Sequence, residues 1–288
     1  MRKGLPTFSL VVCLGLVAPE PGIAQGSPVA IQDSELHHFE ATPGAVYEIY
    51  VVLPEEYGDS QQTQFPVLYL TDASQFFGMV TQTYRMLRLG QEVPAMILVG
   101  VERRTPGTPW LVGRTVDLTP SVSPEGVAEI EQMYGLDVPS GGADTFLSVL
   151  IDEVIPWVEA RYRTSEDRAL AGYSLGGLFA AHTLLHATES FTDYLIGSPS
   201  LWWDDRLLFG QEEAYSRTND DLRGRVFLSV GSEEPSGMVE DVERLASTLT
   251  GRGYASLELE HHVFDGETHM SGIPTSFSRG LRFVFQAR

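Results

Sequence analysis

The sequence has little cysteine and little positive charge. One of its 288 residues is cysteine, and 19 lysines and arginines stand against 39 aspartates and glutamates, which gives a formal net charge of -20. A chain so acidic repels polyanions on average, and this argues against binding of nucleic acid or of an anionic lipid surface by bulk electrostatics. A local basic pocket is still compatible with this composition.

The chain also lacks a long apolar run of the kind that crosses a membrane. Its apolar stretch near the amino terminus, residues 5–17, follows two basic residues and is too short for a spanning helix, so it is typical of a secretory signal peptide. Small residues near position 25 predict cleavage there. Residues 1–25 would then be the signal peptide, and residues 26–288 the secreted or periplasmic protein, with no membrane insertion. The only cysteine, Cys13, leaves with the signal peptide, which excludes disulfides and thiolate chemistry from the mature protein.

Short apolar runs that end at turn residues predict buried β-strands. Residues 46–53 are rich in β-branched and aromatic side chains, and the later runs suit strands covered on both faces of a mainly parallel sheet. Apolar residues at helical spacing predict helices over 142–162, kinked or ended by Pro156, and over 238–251. This alternation predicts an α/β three-layer sandwich, one catalytic domain over 26–288. The later strand candidates are residues 66–70, 95–101, 168–173, 225–230 and 256–264.

Residues 105–139 are rich in proline and glycine and hold few periodic apolar residues. We therefore expect this segment to be a long loop excursion above the sheet. Loops of this length in a compact domain usually form lids or walls of binding sites.

The strongest local signal is the sequence Gly-Tyr-Ser-Leu-Gly at residues 172–176, directly after a strand candidate and before an apolar helix candidate. A sharp strand-to-helix turn of this composition lifts a serine hydroxyl out of the sheet, and the glycines avoid clashes at the turn. The pattern predicts that Ser174 is a nucleophile. The backbone amide of Leu175, at the start of the helix, is expected to donate to the oxyanion.

A serine nucleophile needs a histidine to take its proton, and in this fold the chain order is serine, acid, histidine. His269 lies in a polar loop after the last long strand, which favours it as the general base. The histidines at 182 and 186 fall on the helix after the turn, and those at 261 and 262 fall within a strand, so packing or surface roles are expected for them.

The acid should follow the strand 225–230. Glu234 is preferred there, with Glu233 as the alternative, and Asp241 and Glu240 are more remote because they fall on the next helix. The acid would hold the imidazole tautomer and stabilise the imidazolium without itself being protonated.

The second oxyanion donor should come from the loop after strand 66–70, which reads Thr-Asp-Ala-Ser at residues 71–74. The backbone amide of Ser74 is the preferred candidate. An ordinary polar turn is the alternative interpretation.

Several segments together resemble the esterase family of the α/β-hydrolase superfamily that includes the siderophore (enterobactin-type) esterases, more distantly related to esterase D and the feruloyl esterases. The resemblance covers most of the mature chain. Its most specific part is Ser-Pro-Ser-Leu-Trp-Trp at residues 198–203, which the fold in general does not require. The other matching segments are residues 66–72, 99–102, 114–120, 146–164, 170–178 and Gly197.

The resemblance implies hydrolysis of a small-molecule ester through an acyl-serine intermediate, with Ser174 and His269 as the catalytic pair and with no metal or organic cofactor. Trp202 and Trp203 are candidates to line the substrate pocket, and the alternative is that they form the core and rim of a structural turn. An anionic catecholate siderophore would need basic residues near the mouth, among which Arg114 is a candidate with Arg103 and Arg104. Ion pairing with the many surface carboxylates is the default interpretation for each of the three. The family usually has Leu-Asp-Gly where this chain has Thr-Asp-Ala at 71–73, and this departure weakens the assignment of Ser74.

Two other functions fit the same residues. Acyl transfer would use the same triad with an acceptor alcohol in a water-excluding site. A non-catalytic binding protein could use the hydrolase scaffold, although Ser174, Glu234 and His269 together argue against it. The turn specifies how an ester is attacked and not which ester, and the sequence does not determine the oligomeric state.

Overall fold

A computed structural model of the protein describes residues 30–42 and 44–286, and within them eight strands form a single sheet. Their order in the sheet is β1-β2-β4-β3-β5-β6-β7-β8. The strands are β1 (Ser34–Ala41), β2 (Ala45–Val52), β3 (Phe65–Thr71), β4 (Ile97–Arg103), β5 (Thr164–Tyr173), β6 (Asp193–Gly197), β7 (Gly224–Gly231) and β8 (Leu257–Phe264).

Helices alternate with the strands from β3 onward, and a short 3-10 helix, Glu55–Gly58, follows β2. The α-helices are α1 (Ala73–Leu89), α2 (Trp110–Leu118), α3 (Pro124–Tyr134), α4 (Ala143–Val149), α5 (Ile155–Glu159), α6 (Leu175–His186), α7 (Trp203–Ser216), α8 (Ser236–Arg252) and α9 (Gly272–Val284).

The sheet is antiparallel at one edge and parallel through the rest. β1 pairs with β2 and β2 with β4 in antiparallel register, while β4, β3, β5, β6, β7 and β8 pair in parallel. Parallel strands need crossover connections, which the helices supply. The predicted α/β-hydrolase sandwich with a mainly parallel sheet is confirmed.

Alternate residues of the central strands pack on opposite faces of the sheet, as the pleat requires. On β6, Tyr194 and Ile196 join the main apolar core with Leu178 and Phe179 of α6. Between them, Leu195 contacts Gly280 of α9 on the other face. α9 also packs against α1. β5, which pairs with β6 and ends beside Ser174, is likewise fully buried over its last five residues.

One predicted element is wrong, and another is confirmed with an irregular backbone beside Pro156. The segment 105–139, expected to be loop, contains α2 and α3, whose capping residues Pro109 and Ser123 start helices that the proline and glycine content obscured. The helix expected over 142–162 is divided into α4, a π-helical turn at Leu150–Val154 and α5. Pro156 lies in the first turn of α5 and has no amide hydrogen for an interior helical bond, which accounts for an irregular backbone at this point.

Asp33–Arg288 forms one compact unit. Among the described residues, no helix combines the length and the apolar character that crossing a membrane requires. The predicted signal peptide, residues 1–25, lies outside the described residues.

The contact between α9 and β6 predicts a strong dependence of stability on Gly280. A Cβ atom there would lie 2.4 Å from Cγ of Leu195, so Gly280→Ala should lower the free energy of unfolding by about 1–3 kcal/mol through overpacking. Gly251→Ala on α8 is the control, because a Cβ at Gly251 meets nothing within 4 Å and alanine should stabilise the helix by up to about 1 kcal/mol. Urea unfolding measures both, and equal effects of the two variants would refute the close packing.

Candidate active site

Ser174 lies on a strained turn between β5 and α6. Its φ of 61° and ψ of -118° are unusual for a residue with a side chain. The turn needs glycine on both sides, because a Cβ at Gly172 would lie 2.1 Å from the carbonyl oxygen of Gly176, and one at Gly176 would lie 2.4 Å from Oγ1 of Thr71. The pattern at 172–176 thus produces the tight turn expected of it.

Backbone hydrogen bonds fix this turn to the neighbouring strand and loop. The amide of Ser174 donates to the carbonyl of Gly197 at 3.0 Å, and its carbonyl accepts from the amide of Ser200 at 3.1 Å. Leu175 is the first residue of α6, where the backbone N–H has no acceptor within the helix. This amide is therefore suited to stabilise a negative charge that develops beside Ser174.

Glu234, and not Glu233, is the carboxylate beside His269. Nδ1 of His269 lies 2.7 Å from Oε2 of Glu234. The Glu234 carboxylate also accepts from the hydroxyl of Ser198, at 2.6 and 2.7 Å, and from the amide of Gly231 at 2.9 Å. Glu234 is buried whereas Glu233 is exposed, so only the former has its lone pairs satisfied within the protein.

These contacts determine the charge of the acid. Burial alone would raise the pKa of Glu234, but hydrogen bonds from His269, Ser198 and the Gly231 amide outweigh it and hold the pKa below the ordinary value of 4.5. The stability that this carboxylate contributes is therefore present above about pH 4.5 and is lost as the pH falls below it. At neutral pH Glu234 is an anion and fixes the proton on Nδ1 of His269, which leaves Nε2 free to act as a base.

Two residues that the sequence did not single out hold the histidine and the acid. The hydroxyl of Tyr173 donates to the carbonyl of His269 at 2.7 Å, so the residue before the nucleophile anchors the histidine loop. Ser198, fully buried and with a φ of 36°, orients Glu234. The signal for Ser198 was present in the segment 198–203, where the resemblance drew attention only to the tryptophans.

A cavity of about 500 Å³ opens over Ser174. Its wall includes Ser200, whose hydroxyl oxygen lies 3.4 Å from Oγ of Ser174. The excursion 105–139 supplies part of the wall, as predicted, from α2 and α3. The lining also includes Leu175, Arg114, Glu125, Gly126, Glu129, Ile130, Trp202, Trp203, Arg206 and Met238.

The two adjacent tryptophans have different environments. Trp202 is 40% exposed and presents its ring at the cavity, whereas Trp203 is 1% exposed. The indole N–H of Trp203 donates to Ser121, and its ring lies against Gly126 of α3. Trp203 therefore fixes α3 as a wall of the cavity, and Trp202 is the one available to a substrate.

Arg114 is not a free cation at the mouth. Its side chain is 3% exposed, and Nε and Nη2 donate to the two oxygens of Asp72 at 2.5 and 2.6 Å. Nη2 also donates to the carbonyl of Tyr173 at 3.1 Å, and the guanidinium lies over the ring of Trp110. The expectation of a cation available to an anionic substrate is corrected: the residue lines the cavity, but its charge is neutralised by Asp72.

The assignment of Ser74 as second oxyanion donor is also corrected. The backbone amide of Ser74 donates to Oε2 of Glu102 at 2.6 Å, and its hydroxyl donates to Oε1 at 3.0 Å. A carboxylate is a stronger acceptor than a substrate carbonyl, so this amide is already occupied. The loop does reach the turn, because Thr71 and Asp72 lie against Gly176.

The sequence and the fold are both similar to those of known esterases. A sequence model of the family described as "Putative esterase" matches residues 41–277. The siderophore enterobactin esterase of Emericella nidulans is 33% identical over 279 residues, covering 83% of this chain and 89% of that protein. The ferri-bacillibactin esterase of Bacillus subtilis is 29% identical over 233 residues, covering 76% of this chain and 78% of that protein.

Solved structures show the same architecture. The crystal structure of the BES protein from Bacillus cereus has a TM-score of 0.78 at 27% identity and covers 91% of this chain and 98% of that one. The siderophore hydrolase EstA from Aspergillus nidulans has a TM-score of 0.74 at 26% identity, with 90% and 97% covered.

The pairing of Glu234 with His269 predicts that neutralising Glu234 and neutralising Glu233 will have very different effects on kcat. Glu234→Gln should lower kcat by at least about a hundredfold, because the amide no longer fixes the imidazole tautomer or stabilises the imidazolium. Glu233→Gln is the matched control and should change kcat less than about threefold, because it alters an exposed side chain. Hydrolysis of p-nitrophenyl butyrate measures both, and a larger effect at Glu233 would refute the assignment.

The burial of Arg114 predicts that it stabilises the fold. Arg114→Gln should lower the free energy of unfolding by about 3 kcal/mol or more, because it leaves the Asp72 carboxylate buried without a partner. Arg104→Gln is the control. That arginine is 45% exposed and lies 3.4 Å from Glu48, so the loss should be at most about 1 kcal/mol. If urea unfolding showed similar losses in both variants, the buried pair of Arg114 with Asp72 would not be a main stabiliser of the fold.

Proposed function

Because the chain belongs to this esterase family, we propose that it cleaves the ester bonds of siderophores through an acyl-serine intermediate at Ser174. The family and the named relatives make the protein a carboxylic ester hydrolase. Siderophore esters are the proposed substrates because relatives that cover most of the chain are named for them. The observation that carries the catalytic assignment is the His269–Glu234 contact at 2.7 Å at a site whose serine lies on the strained turn.

In the first half of the reaction His269 takes the proton of the Ser174 hydroxyl as Oγ attacks the ester carbonyl carbon. The carbonyl oxygen becomes an oxyanion, which the amide of Leu175 stabilises. When the tetrahedral intermediate collapses, the bond to the alcohol oxygen breaks and His269 gives its proton to that oxygen. The alcohol leaves, and the acyl group stays on Ser174.

In the second half water replaces the alcohol. His269 takes a proton from the water as its oxygen attacks the acyl carbon, and then returns the proton to Oγ of Ser174 as the acid departs. Glu234 remains ionised throughout and stabilises the imidazolium of His269. The hydroxyl of Tyr173 holds the backbone of the histidine loop, which limits the movement of the ring between the two halves.

Hydrolysis fits this site better than acyl transfer. Acyl transfer needs an acceptor site that excludes water, whereas the cavity over Ser174 is bordered by charged side chains from α3 and α7. The proposal includes export of the protein, since the apolar residues 5–17 follow two basic residues and suit a signal peptide.

The test is ester hydrolysis by the mature protein and its Ser174→Ala and His269→Ala variants on p-nitrophenyl acetate and butyrate. Each variant should lose about a thousandfold or more in kcat/KM, because the nucleophile or its base is gone. His261→Ala, at an exposed position on β8, is the control and should retain activity. A wild-type protein no faster than Ser174→Ala would contradict the assigned nucleophile, and cleavage of siderophore esters followed by chromatography tests the proposed substrates.

A further inference from the structure

The charged side chains that face the cavity over Ser174 are two arginines and two glutamates. Arg114 comes from α2 and Arg206 from α7, while Glu125 and Glu129 both come from α3. The two positive and two negative charges sum to zero. The net charge that a substrate meets therefore depends on which of these four side chains form ion pairs elsewhere in the protein.

Both arginines are already ion-paired. Arg114 is bound to Asp72 by two hydrogen bonds and is buried. Nε of Arg206 donates to Oδ1 of Asp241 at 2.7 Å, and the Asp241 side chain is 6% exposed. Each pair has no net charge, and of the two arginines only Arg206 is exposed, with 43% of its side chain accessible.

The two glutamates are exposed and stand one helical turn apart on α3, which places them on the same face of the helix. Among the ion pairs of residues 30–42 and 44–286, none includes Glu125 or Glu129. The only lysine in the sequence is Lys3, which lies outside these residues. The α3 wall therefore carries two uncompensated negative charges.

The remaining basic residues that could have served an anionic substrate are also paired. Arg103 donates to both oxygens of Asp117, at 2.6 to 3.0 Å, and Arg104 lies 3.4 Å from Glu48. The exposed ring of Trp202 lies in the same cavity wall as the glutamates. An indole face and two carboxylates attract a cation and repel an anion.

We infer that the cavity over Ser174 selects positively charged esters over negatively charged esters of the same shape, through Glu125 and Glu129. This inference rests on the proposed ester hydrolysis at Ser174. Among siderophore esters it favours complexes without net negative charge, such as neutral ferric hydroxamates, over ferric catecholates, which are polyanions. Glu125 and Glu129 of α3 would exert this selection. The contact of Gly126 with Trp203 holds α3 in place, so the two carboxylates stay at the cavity wall.

The experiment uses three meta-substituted aryl acetates, the esters of 3-(trimethylammonio)phenol, 3-tert-butylphenol and 3-carboxyphenol, of which the first two have the same shape. Each kcat/KM is divided by the hydroxide-catalysed rate constant of the same ester, which removes differences in leaving-group reactivity. We expect a cation-to-anion ratio of about ten or more at low ionic strength, falling at least about fivefold in Glu125→Gln/Glu129→Gln. The ratio should also shrink at 1 M salt, where the screening length is about 3 Å.

The matched control removes two negative charges at the far end of β5, the strand that precedes Ser174. Glu166→Gln/Asp167→Asn, at exposed positions near the amino end of β5, should leave the ratio unchanged. A ratio of one or less in the wild type, or one that the α3 double variant does not alter, would overturn the inference. So would a preference for the carboxylate that disappears in Arg206→Gln, since it would identify Arg206 as an anion site.

The neutral ester separates this inference from the proposed function. If 3-tert-butylphenyl acetate is hydrolysed by the wild type and not by Ser174→Ala, the serine esterase stands whatever the charge preference is. If it is not hydrolysed, the failure lies in the proposed function. Should the α3 double variant fold poorly, Glu125→Gln and Glu129→Gln are measured singly, and each should lower the ratio by part of the full effect.

Discussion

The backbone conformation of Ser174 is the constraint on which the rest of the site depends. A residue with a side chain at φ 61° and ψ -118° costs on the order of 1–3 kcal/mol and persists only where its surroundings hold it. Here the surroundings are the absence of side chains at Gly172 and Gly176 and two backbone hydrogen bonds, to Gly197 and from Ser200. Those two bonds also hold the loop 198–203 next to the nucleophile. This loop contains Ser198, which hydrogen-bonds Glu234, and Trp202, which lines the cavity.

The same turn is tied to the oxyanion side of the site by a buried ion pair. Arg114 contacts the carboxylate of Asp72 and the carbonyl of Tyr173 at once, which joins α2, the loop after β3 and the end of β5. Asp72 itself has a φ of 56° and caps α1. Removing water from two charges is costly, and two parallel hydrogen bonds between Arg114 and Asp72 offset this cost. The ion pair therefore holds three chain segments in a fixed arrangement, and it does not offer a positive charge to a substrate.

Much of the fold and half of the site could be predicted because they follow from local patterns. Buried strands and the tight turn at 172–176 need particular residues in sequence, and the loop positions of His269 and Glu234 follow from the chain order of the fold. The helices within 105–139 were missed because their caps, Pro109 and Ser123, look like loop residues. Ser74 was misassigned because its partner, Glu102, is distant in sequence and meets it only across the ends of β3 and β4.

The charge facing a substrate is the property that sequence predicts least, because it depends on which ions are paired. Counting the residues near the mouth gives Arg103, Arg104 and Arg114 and suggests an anion site. The partners of these arginines come from as far as 56 positions away, as with Glu48 and Arg104, or only 14, as with Asp117 and Arg103. A paired arginine contributes little field beyond its carboxylate, whereas an unpaired glutamate keeps its full charge. Pairing thus reverses the sign that composition near the mouth implies, and makes α3 the charged wall.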